Sequence, residues 1–351
     1  MRVLFQGAGA IAIAGAAMFG RRHEAVVVSR TVSPGDSALP LQLAALGRGS
    51  RAATHGAAST RRLPGTDRCR VPIIDWPTAA TETWDLIVVS TRPGDLDAKV
   101  REAIERLRPP LIALTSQVDG DVERAVAMFP GSEIVVFSPA FLSERTVGRT
   151  VRFWRPPAMP AFLVAGRRET VCRLRRELGS LVIGVPTAAV FDVPAVFIPY
   201  AAELSARHGD WAALKSHLRR PTAAASEAVR AVTGLRLPMS PLAARLVLEA
   251  IERISPLDMN EYAGRHFGRH EAQTLDMLDG WIGRAIARAD SRAGRRTNID
   301  PQTNRQTNPQ SNPQANRQSN RQANRRVNPQ PNRQANRQAS ALAGLARALR
   351  G

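Results

Sequence analysis

Cysteine and lysine are nearly missing from this chain. Its 351 residues include two cysteines, Cys69 and Cys172, which lie far apart and lack the spacing of metal ligands. Neither a disulfide framework nor a zinc site is therefore indicated, and a reducing cytoplasm is the expected compartment. Lysine is as rare, with Lys99 and Lys215 alone, so arginine supplies nearly all basic side chains behind a formal net charge of +19. This bias is more typical of a genome-wide codon effect than of a surface selected to bind nucleic acid.

Long apolar runs are missing too. No stretch reaches the roughly 18 continuous apolar residues that a membrane span requires. An arginine followed by the apolar run around 10–19 resembles the start of a signal peptide, but Gly7, Gly9 and Gly15 interrupt it. A strand-like segment then follows instead of a cleavage site. We therefore expect a soluble, cytoplasmic protein without a membrane partner.

Short apolar runs alternate with helix-like segments through the first half of the chain. The runs are continuous, which is typical of strands buried on both faces of a parallel sheet. Helices are expected between several of them, at 10–19, 95–107 and 121–129. Strand, helix, strand at this spacing predicts a doubly wound α/β fold of the Rossmann type. The predicted strands are 3–5, 25–28, 71–74, 86–89, 111–114, 134–137 and 162–164.

After Pro186 the pattern changes to helices only, which predicts an all-helical second domain. One of these helices has Ser240 as its N-cap, a proline at its first position and Ser255 with the next proline as its stop. Another ends just before Gly234, a residue type common past the end of a helix. The expected helices include 193–206, 222–232, 241–254 and 271–289.

The last part of the chain contains a repeat. From Asn304 to Asn336 asparagine recurs at every fourth position, nine times without a miss. No apolar residue shares this period, so no core can form and we expect the repeat to be disordered. It is either an inert product of an expanded nucleotide repeat or a solvated arm that binds RNA weakly, and a short helix is expected at 339–349. The predicted divisions are a Rossmann domain at 1–186, a helical substrate or dimerisation domain at 187–296, and a tail at 297–351.

A glycine-rich segment follows the first predicted strand and opens the first predicted helix: Gly7-Ala8-Gly9-Ala10-Ile11-Ala12. In this context the G-x-G-x-x-[GA] pattern is typical of a dinucleotide-binding turn. Gly7 makes the tight turn, Gly9 lets backbone N–H groups approach a pyrophosphate at the positive end of the helix, and Ala12 keeps helix and strand close. The alternative is a small-residue turn in another kind of α/β protein.

The end of the second predicted strand bears on the choice of cofactor. An acidic residue there would hydrogen-bond the ribose 2′-hydroxyl of NAD, whereas Arg30 can bind the 2′-phosphate of NADP through two charge-assisted hydrogen bonds. We therefore predict NADP(H) as the cofactor of the 1–186 domain. The alternative is that Arg30 is a solvated side chain in an arginine-rich protein.

Several stretches resemble the ketopantoate reductase family. The N-terminal domain is similar at 1–30, 85–92 and 114–117, and the helical half is similar more weakly at 225–238 and 266–278. The resemblance covers about residues 1–290. It implies NADPH-dependent reduction of a 2-keto acid or related small carbonyl in a cleft between the two domains, and it leaves a homodimer open. It also implies that Thr91 and Arg92, after the fourth strand, and Gln117, where the family usually has asparagine, lie at the cofactor.

The chain departs from the family pattern where catalysis is expected. The family's catalytic lysine lies on the first helix of the second domain, about 193–206 here, and that segment contains no lysine. The asparagine near that lysine and the late serine and glutamate pair have no clear match. Ketopantoate itself is therefore not the expected substrate.

Hydride transfer to a carbonyl carbon creates an alkoxide, which needs a nearby proton donor or cation. The candidates are His266 as donor, Asp276, Glu261 or His270 to orient it, and Glu203 as another titratable residue on the cleft-side helix. His266 and His270 are four residues apart, but no third ligand follows at a spacing typical of a metal site, so no metal is predicted. The alternative is that these residues are surface or capping residues.

Two other functions stay open. The missing lysine favours a binding or sensory protein that keeps the dinucleotide fold without turnover. The tail, with nine arginines and one aspartate from residue 297 onward, favours a nucleic-acid-associated protein.

Overall fold

A computed structural model describes residues 1–30, 41–45, 68–145, 150–267, 271–297 and 340–350 of the chain. The predicted disordered repeat at 304–336 lies outside these residues. The described part is a Rossmann-type sheet with helices, followed by helices alone, as the sequence predicts.

The α/β part contains twelve strands and five helices among the described residues. They are β1 (Arg2–Gln6), α1 (Ala10–Phe19), β2 (Glu24–Val28), β3 (Leu41–Ala45), β4 (Arg68–Val71), β5 (Ile73–Ile74), α2 (Trp76–Ala79), β6 (Leu86–Val89), α3 (Ala98–Leu107), β7 (Leu111–Leu114), α4 (Asp121–Met128), β8 (Glu133–Pro139), β9 (Leu142–Arg145), β10 (Val151–Trp154), β11 (Phe162–Ala165), α5 (Arg168–Leu178) and β12 (Val182–Gly184).

Eight strands form the main sheet in the order β12-β11-β8-β7-β6-β1-β2-β5. Neighbouring strands are parallel, except β11, which is antiparallel to β8. All residues of β6 and β7 are buried, which confirms that the continuous apolar runs are core strands. From β1 the chain goes to β2 on one side and later to β6 on the other, so the order of the strands reverses at β1 and β6. In sheets of this kind ligands bind outside the carboxyl ends of the strands at such a switch point.

A second sheet, which the sequence analysis missed, has four strands in the order β4-β3-β10-β9. Its strands are only four or five residues long, too short for an alternating pattern to stand out in the sequence. The predicted strand at 71–74 divides at Pro72, because β4 belongs to the second sheet and β5 to the main one. Helix α1 is apolar on all sides and packs against both sheets. Gly15 makes this possible, since a Cβ at that position would lie 2.6 Å from the ring of Phe5.

All remaining described elements are helices. They are α6 (Thr187–Asp192), α7 (Pro194–Ser205), α8 (Trp211–Ser216), α9 (Arg219–Thr233), α10 (Pro241–Ile254), α11 (Met259–Phe267), α12 (Glu271–Thr297) and α13 (Ser340–Leu349). Gly234 ends α9 with a φ of +79°, as predicted. Ser240 precedes α10 as predicted, but its side chain makes no capping hydrogen bond. Helix α12 continues eight residues beyond its predicted end at 289.

The helix predicted at the end of the chain is present and is packed against other helices. Helix α13 packs against α7, α9 and α12, and Leu342, Leu345 and Leu349 are buried in the same cluster as Leu278 and Trp281. The segment assigned to the tail therefore ends in a helix that belongs to the core of the helical part.

Helices α6 and α7 together form one stretch, Thr187–Ser205, that is long enough to cross a membrane and apolar on average, although Asp192 and Glu203 interrupt the apolar run. Within it, Ala195, Ala202 and Leu204 are buried inside the helical part, where α7 packs along α9. A buried core helix of a globular protein can have this length and composition, so the stretch is weak evidence of a membrane span.

Candidate functional site

The glycine-rich turn has the shape that its sequence predicts. Gly7 has a φ of +87°, and a Cβ added there would lie 3.3 Å from Ser90 Oγ, so a side chain at this position is strained. Gly9 is exposed, and nothing lies within 4 Å of a Cβ built on it, so the space over the turn is open. Ala12 is fully buried, as expected of the residue that brings helix and strand together.

Helix α1 begins at this turn without a side-chain cap from the described residues. Its first backbone N–H groups have no partner inside the helix, and the helix dipole adds positive charge there. No acidic residue lies in its first turn. The turn and the helix start therefore fit an anionic group such as a pyrophosphate.

Hydrogen bonds hold the carboxyl ends of β1 and β6 together beside the turn. Ser90 Oγ donates to the carbonyl oxygen of Gln6 at 2.6 Å, and the backbone N–H of Thr91 donates to Gln6 Oε1 at 3.3 Å. The structure thus brings Thr91, predicted at the cofactor, to the glycine-rich turn.

Arg30 follows β2 at the same edge of the sheet and has an acidic neighbour that the sequence analysis missed. Its Nη1 lies 3.0 Å from Asp97 Oδ2, and both side chains are largely exposed. Asp97 also caps α3, accepting a hydrogen bond from the backbone N–H of Lys99 at 2.9 Å. A guanidinium and a carboxylate therefore lie side by side at the end of β2.

A pocket lies between the end of β7, α6 and α12. It is a small cavity of about 20 Å³ that opens to solvent. The amide nitrogen of Gln117 forms one wall, where it donates to Ser138 Oγ and to the carbonyl oxygen of Val190. The lining residues are Gln117, Asp119, Phe191, Asp276, Met277, Gly280, Trp281 and Arg284.

Two ion pairs join the α/β part to α12 at this pocket. The arginine lies on the α/β part in one pair and on α12 in the other. Arg92 binds Asp276, and its Nε also lies 3.3 Å from Asp121 Oδ2. In the second pair, both the Nε and the Nη2 of Arg284 donate to Asp119, the Nε at 2.9 Å. Burial lowers the pKa of the Arg92 guanidinium, but its hydrogen bonds to Asp276 and Asp121 outweigh this and raise the pKa.

The predicted catalytic residues are not all at one place. Asp276 lines the pocket and meets Arg92, so the structure joins a predicted catalytic residue to a predicted cofactor residue. Glu203 is fully buried away from the pocket lining, where it accepts hydrogen bonds from Arg207 at 2.8 Å and Arg220 at 2.6 Å. His266 lies on α11, but its side chain is outside the described residues.

Of the other two residues considered as orienting groups, the structure describes one, and it is not part of the pocket lining. Glu261 is exposed on α11, and His270 is outside the described residues. In the described ranges, no group of three or more His, Cys, Asp or Glu side chains could hold a metal ion.

Sequence reasoning missed Arg284, Trp281 and Asp119. One signal was present, because Asp276, Gly280 and Arg284 are spaced by four and so share a face of α12. With 49 basic residues in the chain, no pattern separated Arg284 from the other arginines.

No protein-family model and no curated protein matches this sequence. Solved structures are nevertheless similar. The 2-dehydropantoate 2-reductase from Geobacter metallireducens GS-15 is 13% identical, covers 100% of this chain and 99% of its own, and has a TM-score of 0.56. The dimeric ketopantoate reductase from Staphylococcus aureus is 11% identical over 82% of this chain and 93% of its own, with a TM-score of 0.51. D-mandelate dehydrogenase in complex with NADH is 13% identical over 86% of this chain and 94% of its own, with a TM-score of 0.50. The fold expected from the resemblance is therefore confirmed: this chain has the fold of the ketopantoate reductases.

Proposed function

We propose that this protein is a cytoplasmic, NADP(H)-dependent reductase of a 2-keto acid or a related small carbonyl. The observation that carries the proposal is the open, uncapped glycine-rich turn at the switch point of the sheet, with Thr91 beside it. The neighbouring folds described above support it, since their names include a keto acid reductase and an NADH complex. In this proposal residues 1–186 bind the cofactor and 187–296 complete the substrate site.

The cofactor contacts follow from the turn. The backbone N–H groups from Ala8 to Ile11 would hold the pyrophosphate, and Arg30 would bind the 2′-phosphate. The bound dinucleotide would supply the hydride, and Gln117 would form the wall on the side toward the pocket.

We place the carboxylate of the substrate at this small pocket, which must open for the substrate to enter. Arg284 presents a forked guanidinium, the geometry that binds a carboxylate through two parallel hydrogen bonds. Asp119 occupies that fork now, so a substrate carboxylate would take its place. Trp281 and Phe191 would cover the apolar part of a small substrate.

Catalysis in this proposal needs a cation that stabilises the developing negative charge and a group that donates a proton. Arg92 would stabilise the negative charge that develops on the carbonyl oxygen, and Asp276 would hold the guanidinium in place. His266 remains our proposed proton donor. For Glu203 we propose a structural role, because Arg207 and Arg220 already bind both of its oxygens.

A homodimer is part of the proposal. Helix α10 exposes Leu242, Leu246 and Ile254, which are 67%, 60% and 54% exposed and spaced by multiples of four along one face. A second copy of this chain would cover that face, as expected for an exposed apolar patch, and the S. aureus neighbour is described as dimeric. The molar mass of Leu246→Glu in solution, compared with that of the wild type, tests this. A wild type that is monomeric at micromolar concentration contradicts it.

The experiment that tests the cofactor is a fluorescence titration of the full chain with NADPH and NADH. We expect NADPH to bind at least tenfold more tightly, which is about 1.4 kcal/mol, and Arg30→Ala to lose that margin. A wild type that binds neither nucleotide would show that the proposal is wrong.

A screen of keto acids with NADPH then separates an enzyme from a binding protein. The absence of lysine from α7 favours the second function, a dinucleotide-binding protein without turnover. Oxidation of NADPH by any 2-keto acid supports the reductase. Tight binding of NADPH with no oxidation by any keto acid supports the binding protein.

A further inference from the structure

Strand β9 of the second sheet ends beside the glycine-rich turn. Arg145, its last residue, lies 137 positions after Ala8, yet its Nη1 donates a hydrogen bond to the Ala8 carbonyl oxygen at 3.2 Å. The fold determines where Arg145 lies, because it pairs with Val151 of β10, which is fully buried. Just before β9, Phe141 packs edge to face against Phe162, with ring centroids 5.4 Å apart.

The side chain of Arg145 is exposed and faces a part of the protein that has no charge of its own. The segment Gly7-Ala8-Gly9-Ala10-Ile11-Ala12 contains no charged residue, and the space over Gly9 is open. A guanidinium has five N–H donors, of which the hydrogen bond to Ala8 uses one. Among the described residues the guanidinium makes no other hydrogen bond, so its remaining donors can bind an anion that lies on the turn.

We propose that Arg145 binds the pyrophosphate of the dinucleotide, an inference that rests on the proposed function. The start of a helix contributes about half a unit of positive charge, which balances only part of the charge of a pyrophosphate. The second sheet therefore supplies the cation that the glycine-rich turn lacks. Arg145 holds the Ala8 carbonyl with one N–H and uses its fork for the phosphate oxygens.

The test compares four variants of the full chain by titration with NADPH and with NADH. Arg145→Ala removes the charge and the hydrogen bond to Ala8, whereas Arg145→Gln removes the charge and the fork but keeps a shorter polar side chain. Arg152→Ala is the matched control, because Arg152 is an exposed arginine on the adjacent strand β10. Arg30→Ala measures the contribution of the 2′-phosphate contact separately.

We expect both Arg145 variants to bind NADPH and NADH about tenfold more weakly or worse, by the same factor for each, because both nucleotides contain the pyrophosphate. Arg152→Ala should bind within twofold of the wild type, and Arg30→Ala should weaken NADPH alone. Circular dichroism of each variant shows that it is folded.

Two results would overturn the inference while the proposed function stands. One is an Arg145→Gln variant that binds both nucleotides like the wild type. The other is an Arg145 variant that weakens NADPH alone, which would place the residue at the 2′-phosphate. If the wild type binds neither nucleotide, the proposed function fails and this inference fails with it.

Discussion

Replacing Leu345 with alanine should destabilise the protein, although the residue lies six positions from the end of the chain. Leu345 is 0% exposed in the cluster that contains Leu278 and Trp281. A Leu→Ala change in a core of this kind costs about 2–5 kcal/mol, because the lost burial is added to the cost of a cavity. A helix of ten residues is marginal on its own, so packing is what keeps α13 folded.

Urea unfolding, followed by far-UV circular dichroism and tryptophan emission, measures this loss. Arg347→Ala is the matched control, since Arg347 is exposed on the same helix and the change should stay within about 0.5 kcal/mol. Deletion of 304–336 with α13 retained should leave the emission of the folded protein unchanged, because Trp281 stays covered. A Leu345→Ala variant as stable as Arg347→Ala would refute the docking of α13.

Three further outcomes follow from other contacts. Asp97→Asn keeps a good N-cap and removes a negative charge beside Arg30, so the preference for NADPH over NADH should rise severalfold in a fluorescence titration. An unchanged ratio of the two dissociation constants would place Asp97 away from the 2′ position. Burial raises the pKa of the Glu227 carboxyl, and the hydrogen bond from the backbone N–H of Leu342 only partly offsets this. The stability of the wild type should therefore fall relative to that of Glu227→Gln as pH rises from about 4.5 toward 7. A difference in unfolding free energy that stays the same at each pH in urea unfolding would contradict this. A double-mutant cycle of Arg92 and Asp276, with unfolding free energies as the readout, should give a coupling of about 0.2–1 kcal/mol, because Asp276 is half exposed, and zero coupling would contradict the ion pair.

Sequence reasoning was most successful where the signal is local. The glycine-rich turn, the strands β6 and β7 and the bounds of α10 follow from neighbouring residues alone, and the structure confirms each of them. The second sheet could not be predicted, because β3 and β10 come from distant parts of the chain and neither carries a clear strand pattern. The roles of Glu203 and His266 remain predictions, since residue type shows that a side chain can titrate but not what it contacts.

The sequence by itself determined the α/β order of the first half, the helical second half and the shape of the glycine-rich turn. These depend on residues within about 30 positions of each other, whose spacing sets both backbone shape and the buried face. Only the tertiary structure decided which charges meet. Arg92 and Asp276 are 184 positions apart and Arg145 and Ala8 are 137 apart, so each contact depends on how distant elements pack together. The same holds for α13, whose partners on α9 and α12 no local pattern could name.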